Sequence, residues 1–207
     1  MRHRLLTTLN SGGALTGTLI EDAFTDTNAT ALTSHTIAPT NTPAATWRNE
    51  TGTKQITSNK AITATIDADG ESFQSVDAGK SDVTIDVDVT TGTDLANLYG
   101  GSILFRVTDQ NNLWLVSLRS ADNTFKILEK NAGTITARAS TSFTYATSTT
   151  YAVRVVVSGT SITATINGGN TLTYTSSFNQ SATRHGIGEF TASVNARPSY
   201  DNFKITG

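Results

Sequence analysis

The chain has no cysteine, so neither a disulfide framework nor a thiolate metal site is open to it. Charge is scarce as well. Charged residues make up 15% of the sequence, the formal net charge is −2 and the pI is near 5.9. A nucleic-acid binder would show a basic patch or excess, and there is none, so no nucleic-acid partner is expected. Long hydrophobic runs are also missing. None approaches the ~18 apolar residues of a membrane span, which excludes a membrane helix. The start, MRHRLLTTLNSGGALTGTLIEDAF, places basic residues before an apolar stretch. Thr7-Thr8, Asn10 and Ser11-Gly12-Gly13 interrupt that stretch, so it does not read as a signal peptide.

Threonine is abundant instead, about a fifth of the 207 residues. Its β-branched side chain suits the solvent face of a strand, and chains of this length can form one large all-β domain. The clearest element is ILFRVTDQNNLWLVSLR, residues 103–119. Ile103, Phe105 and Val107 alternate with Leu104 and Arg106. After a polar turn at Asp109–Asn112, Trp114, Val116 and Leu118 alternate with Leu113, Leu115, Ser117 and Arg119. Apolar residues on both faces mark a hairpin in the middle of a sheet. In DVTIDVDV, residues 82–89, Val83, Ile85, Val87 and Val89 point inward and Asp82, Thr84, Asp86 and Asp88 outward. Further hairpins are expected around Asn131-Ala132-Gly133 and Ser158-Gly159-Thr160, the second bringing Val153, Val155 and Val157 against Ile162, Ala164 and Ile166. Shorter strands follow from Ala61, Ser72, Thr171, Gly186 and Tyr200, while Pro39 and Pro43 oppose a strand between Phe24 and Trp47. About 12–14 short strands without a convincing helix predict an all-β, two-sheet antiparallel jelly-roll sandwich.

The domain is expected at residues 21–207, with residues 1–20 as a short N-terminal arm. Arg2, Arg4, Leu5, Leu6 and Leu9 give the arm basic and apolar docking groups. It reads either as an edge strand added to the same domain or as an intermolecular arm.

Four stretches resemble the concanavalin A-like lectin/glucanase superfamily in its laminin-G-like form. They are Asp22-Ala23-Phe24 with Trp47, the strand at 82–89, LFRVTDQNNLWLVSL at 104–118, and GIGEF at 186–190 with YDNFKI at 200–205. Together they span most of residues 21–207. The resemblance implies a fold shared by lectins, glucanases and inert spacers, and so leaves function open. It also implies a context. A cysteine-free, threonine-rich jelly roll with an arm and no export signal resembles phage virion proteins: capsid decoration, head fibre or tail modules. On that view the protein is non-enzymatic, sits on the virion, and docks through its arm on capsid, tail or sister subunits as a homo-oligomer. A free-standing carbohydrate-binding module is the alternative, with a cell-surface glycan as partner.

A sugar offers an apolar ring face and a rim of hydroxyls, so a binding site needs aromatic platforms and planar polar groups. Trp114, Tyr99 and Tyr151 are the candidate platforms, and Arg106, Arg119 and Arg154 the candidate polar groups, expected to share one polar sheet face. Trp47 and Trp114 also fit a core. By resemblance, Asp22 and Asp201 would hold a structural calcium between the first and last strands; Asx-turns are the simpler use of these residues. Glucanases of the superfamily carry a Glu-x-Asp-x-x-Glu strand. Here Asp82, Asp86 and Asp88 share a face without any Glu, so a hydrolase acting through Asp86 or Asp88 is the least favoured reading. No catalytic residue is assigned.

Overall fold

The computed structural model describes residues 17–37, 45–93, 99–190 and 197–207. In chain order the strands are β1 (Thr18–Asp22), β2 (Arg48–Thr51), β3 (Thr53–Thr57), β4 (Lys60–Thr65), β5 (Glu71–Asp77), β6 (Val83–Thr90), β7 (Tyr99–Asp109) and β8 (Asn112–Arg119). They continue with β9 (Thr124–Asn131), β10 (Thr134–Ser142), β11 (Thr150–Ser158), β12 (Ser161–Ile166), β13 (Asn170–Thr175), β14 (Arg184–Phe190) and β15 (Ser199–Thr206). A single 3-10 turn at Leu32–Ser34 is the one helical element among the described residues.

The expected jelly-roll sandwich is what forms. One sheet runs β13-β12-β11-β6-β15-β4-β3, with β1 paired to β15 as an eighth strand. The other runs β10-β9-β8-β7-β14-β5-β2, and every pairing is antiparallel. Alternation along β6 sends Val83, Ile85, Val87 and Val89 inward, where they meet Val153, Val155 and Val157 of β11. The β7–β8 hairpin lies inside its sheet and is covered on both faces. Ile103, Phe105, Trp114, Val116 and Leu118 enter the core between the sheets, while Leu104, Val107, Leu113 and Leu115 form a second cluster on the far side. Each such large apolar side chain contributes about 1.5–3 kcal/mol when fully buried. On β14, Gly188 is required: a Cβ there would come within 2.6 Å of the Phe73 ring and 3.0 Å of Leu104.

The boundary expected between residues 20 and 21 falls inside β1. Leu19 and Ile20 are fully buried, and Gly17 exchanges backbone hydrogen bonds with Gly207 in both directions. Residues 18–20 belong to β1, which pairs with β15. Arg2, Arg4, Leu5, Leu6 and Leu9 lie outside the described residues.

Candidate functional site

Of the six residues expected to form a glycan site, the five whose side chains are described do not converge. Trp114 is wholly buried, stacks on Phe105 and donates its indole N–H to the Phe178 carbonyl at 3.0 Å. Tyr151 is 6% exposed; its hydroxyl accepts from the Ala146 N–H and donates to the Thr144 carbonyl. Neither can act as a platform. The side chain of Tyr99 lies outside the described residues. Arg119, on β8, approaches Asp122 at 3.6 Å.

Arg106 departs furthest from expectation. Alternation placed it on an outward face, but the β7–β8 register slips between Phe105 and Asp109, and Arg106 takes φ +49°. A bulge of this kind re-aims a side chain. The guanidinium is fully buried and reaches the loops at one end of the sandwich. Its Nη2 donates to Asp82 at 3.0 Å and to the Gly159 carbonyl at 2.7 Å. Burial holds its pKa below the usual guanidinium range, and the Asp82 carboxylate opposes that.

Arg154 alone of the three arginines stands on the outer face of the eight-stranded sheet. It pairs directly with Asp86 across β11 and β6, with Nε 2.6 Å and Nη2 3.1 Å from the two carboxylate oxygens. Asp86 raises its pKa through that hydrogen bond. Two residues along β6, Asp88 accepts from the Asn202 amide at 2.9 Å. Asn202 sits at φ +51° in an irregularity of β15, which turns its side chain over the neighbouring strand. Asp86, Asp88, Arg154, Thr165, Gly168 and Asn202 border an open hollow of about 470 Å³. Hydroxyl pairs Thr90–Thr150 and Thr165–Thr171 continue the same surface. Strand alternation had put Asp86 and Asp88 outward; the Asn202 contribution depends on a bulge and carried no sequence signal.

The outer face of the seven-stranded sheet is different. Lys130 of β9 meets Glu71 of β5 at 2.5 and 2.6 Å although three strands separate them. In a flat sheet they would stand roughly 19 Å apart, further than the two side chains span. The sheet is therefore curled into a trough. Its floor of Phe73, Leu104, Val107, Leu113, Leu115, Leu128 and Phe190 is at most 7% exposed. Arg184, Glu50 and Ser75 form a second polar knot on this face.

The expected calcium pair does not fit. The Asp22 carboxylate is already taken by the Phe24 N–H, the His35 ring and the Trp47 indole N–H, at 2.8, 2.9 and 2.8 Å. Asp201 binds the N–H of the next residue. His35 bridges Asp22 and Asp26; burial lowers its pKa, but the two carboxylates outweigh this and raise it. Among the described residues no group of three or more His, Cys, Asp or Glu could hold a metal ion.

No protein family and no curated protein matches the sequence. Solved structures do match in fold. The carbohydrate binding module CBM66 from Bacillus subtilis aligns over 78% of this chain and 95% of its own, with TM-score 0.61 and 16% identity. The exoplasmic/lumenal domain of VIP36, in a Ca2+/Man2-bound form, aligns over 86% of both chains with TM-score 0.58 and 13% identity. A Bacillus subtilis protein of unknown function with a galectin-like fold aligns over 77% of this chain and 88% of its own, with TM-score 0.55 and 12% identity. At these identities the likeness is one of fold: a lectin-type sandwich.

Proposed function

We propose that the chain is a non-catalytic glycan-binding module whose sugar docks on the outer face of the eight-stranded sheet, around Arg154, Asp86, Asp88 and Asn202. The observation that carries this reading is the row of planar polar groups bordering an open hollow on that face. Carboxylates, a guanidinium and a carboxamide match the paired donors and acceptors of sugar hydroxyls. The fold likeness to a carbohydrate binding module and to a mannose-bound lumenal domain supports it.

Hydrolysis is disfavoured by the same contacts. A glycosidase works through a pair of carboxyl groups free to face the scissile bond. Here Asp86 is hydrogen-bonded to the Arg154 guanidinium and Asp88 to the Asn202 amide.

Native affinity electrophoresis in gels containing laminarin, xylan, mannan, levan or galactan tests the module. Retardation by at least one polymer, lost in Asp86→Ala, is the expected result. Equal mobility of wild type and variant in all five would overturn it.

The virion setting is the finer part of this reading. A module of this kind would display its sugar-binding face while residues 1–16 dock on capsid, tail or sister subunits. Solution mass tests that part: the full chain as an oligomer and a chain starting at Gly17 as a monomer is expected, and equal masses would overturn it.

A further inference from the structure

We infer that the ligand is an extended, neutral polysaccharide chain lying along the β6–β11 seam, from the loops at Asp82 to the hollow at Arg154; this rests on the glycan-binding reading above.

Two more hollows continue the first. One, of about 420 Å³, is bordered by Asp82, Thr84, Val156, Ser158 and Thr206. The other, of about 530 Å³, is lined by Ser81, Asp82, Ser177, Asn179, Gln180 and Ser181. Asp82 belongs to both, so these two adjoin. Thr84 pairs with Val156 two residues before Asp86 pairs with Arg154. Side chains two apart on a strand share a face, so the middle hollow runs into the Arg154 hollow. Asp82 to Asp88 is six residues of strand, roughly 20 Å at strand rise. A single sugar ring fills one hollow; only a chain uses all three.

The far hollow is built on rigid supports. Asn179, at φ +53°, donates its amide to the carbonyls of Arg106 and Asn112 at 3.2 and 2.9 Å. The loop carrying it is closed by Gln180 N–H to the Ser177 carbonyl and Ala182 N–H to the Asn179 carbonyl. Phe178, in the same loop, packs edge-on against Trp114. Behind Asp82 stands Arg106, with positive φ in a central strand and a buried Nη1 that has no hydrogen-bond partner. Such a conformation and an unsatisfied buried donor each cost stability, and such costs concentrate at functional sites. Here they fix Asp82, the junction between two hollows. Arg106 is thus a positioning residue that does not touch the ligand.

Charge sets the ligand class. Asp82, Asp86 and Asp88 line the seam, and Arg154 is engaged by Asp86. Arg106 is likewise engaged by Asp82, and Lys204, opposite Asp86 on β15, by Glu21. Among the described residues a uronate or sulfated polymer would therefore find no uncommitted cation along the seam. Neutral hydroxyls can donate to the carboxylates and accept from the serine, asparagine and glutamine groups.

The test uses size-fractionated oligosaccharides, from the disaccharide to about eight units, of whichever of the five polymers retards the wild type. Titration calorimetry on wild type and on the double variant Gln180→Ala/Ser181→Ala reads the result. Wild-type affinity is expected to rise at least tenfold with chain length. The double variant is expected to lose about tenfold for the longest oligomer and nothing for the disaccharide. Affinity that is flat with length, while Asp86→Ala still abolishes binding, would overturn the extended chain and leave the glycan module standing. If no polymer retards the wild type, both fall.

Discussion

Arg154–Asp86 and Lys130–Glu71 are both ion pairs between strands, one on each outer face of the sandwich, and they differ in every respect that matters. The first joins adjacent strands, with side chains 61% and 35% exposed. The second spans three strands with side chains 5% and 7% exposed. An exposed pair is typically worth 0–1 kcal/mol, whereas removing one member of a buried pair costs about 3–5 kcal/mol. Burial raises the Glu71 pKa while Lys130 opposes it, as befits a carboxylate withdrawn from water. The closed pair belongs to the architecture and holds a trough curled over an apolar floor. The open pair is dispensable to the fold, and its polar atoms remain available to a ligand.

The largest effect should come from breaking the closed pair alone. Glu71→Ala strands the Lys130 ammonium among Phe73 and its neighbours, whose ring it approaches at 5.2 Å. A loss of about 3–5 kcal/mol is expected in urea unfolding, with most of it recovered in Glu71→Leu/Lys130→Met. Arg154→Ala should cost under about 1 kcal/mol in the same assay while removing polymer retardation. Equal costs for Glu71→Ala and Arg154→Ala would break the contrast between the two faces.

A smaller effect concerns the support beneath Arg106. His185 is fully buried and binds the Lys80 carbonyl at 2.9 Å, and its other ring nitrogen accepts from the Arg106 N–H at 3.4 Å. Burial pushes its pKa down to about 4. Between about pH 4 and 6.5 the unfolded chain therefore binds more protons than the folded one. Stability falls as pH drops through that window, by roughly 3 kcal/mol in total. His35 has the opposite sign. Its raised pKa gives stability that is present in acid and lost as pH rises through the folded value. The difference between wild type and His185→Gln, followed from pH 7 to 4, isolates the first effect. A difference that stays constant with pH would mean that His185 is not held neutral.

Much of this was legible where alternation was strict. The core faces of β6, β8, β11 and β12 follow from parity, as do the outward positions of Asp86, Asp88 and Arg154. On β7 parity holds only as far as Phe105; Val107, expected beside Ile103 and Phe105, falls on the far face with Leu104 beyond the register shift. What failed were positions where backbone geometry breaks parity or partners come from far along the chain. Arg106 left its expected face through a bulge, and Asn202 entered the site through another. β2 and β3 read RNET and TKQIT, too polar to signal strands, so the inward turn of Lys54 was hidden. It lies wholly buried with its ammonium 2.6 Å from the Thr63 hydroxyl, and burial lowers its pKa to about 8. Residues 71 and 130 lie 59 apart in sequence, and no local pattern announces that they meet. Trp114 and Tyr151 were aromatic in the right region but belong to the core.

The finest separation lies within the open face and concerns single hydroxyls. Thr165 and Thr173 lie on adjacent strands, β12 and β13, of the same sheet, but only Thr165 borders the Arg154 hollow. Valine keeps the β-branched shape that suits a strand, so Thr→Val removes a hydroxyl and little else. Thr165 shares its hydroxyl with Thr171 at 3.1 Å on an exposed surface, where water can replace the lost bond. Both Thr165→Val and Thr173→Val should therefore stay within about 0.5 kcal/mol of wild type. Retardation by polymer should weaken in Thr165→Val and remain unchanged in Thr173→Val. If both variants bound equally well, the sugar would not contact Thr165, and the outer face would have to be read without it. If both weakened alike, the contact would be a diffuse property of a threonine-rich sheet. The contrast between an open and a closed face would then survive, but the Arg154 hollow would lose its claim to be the site.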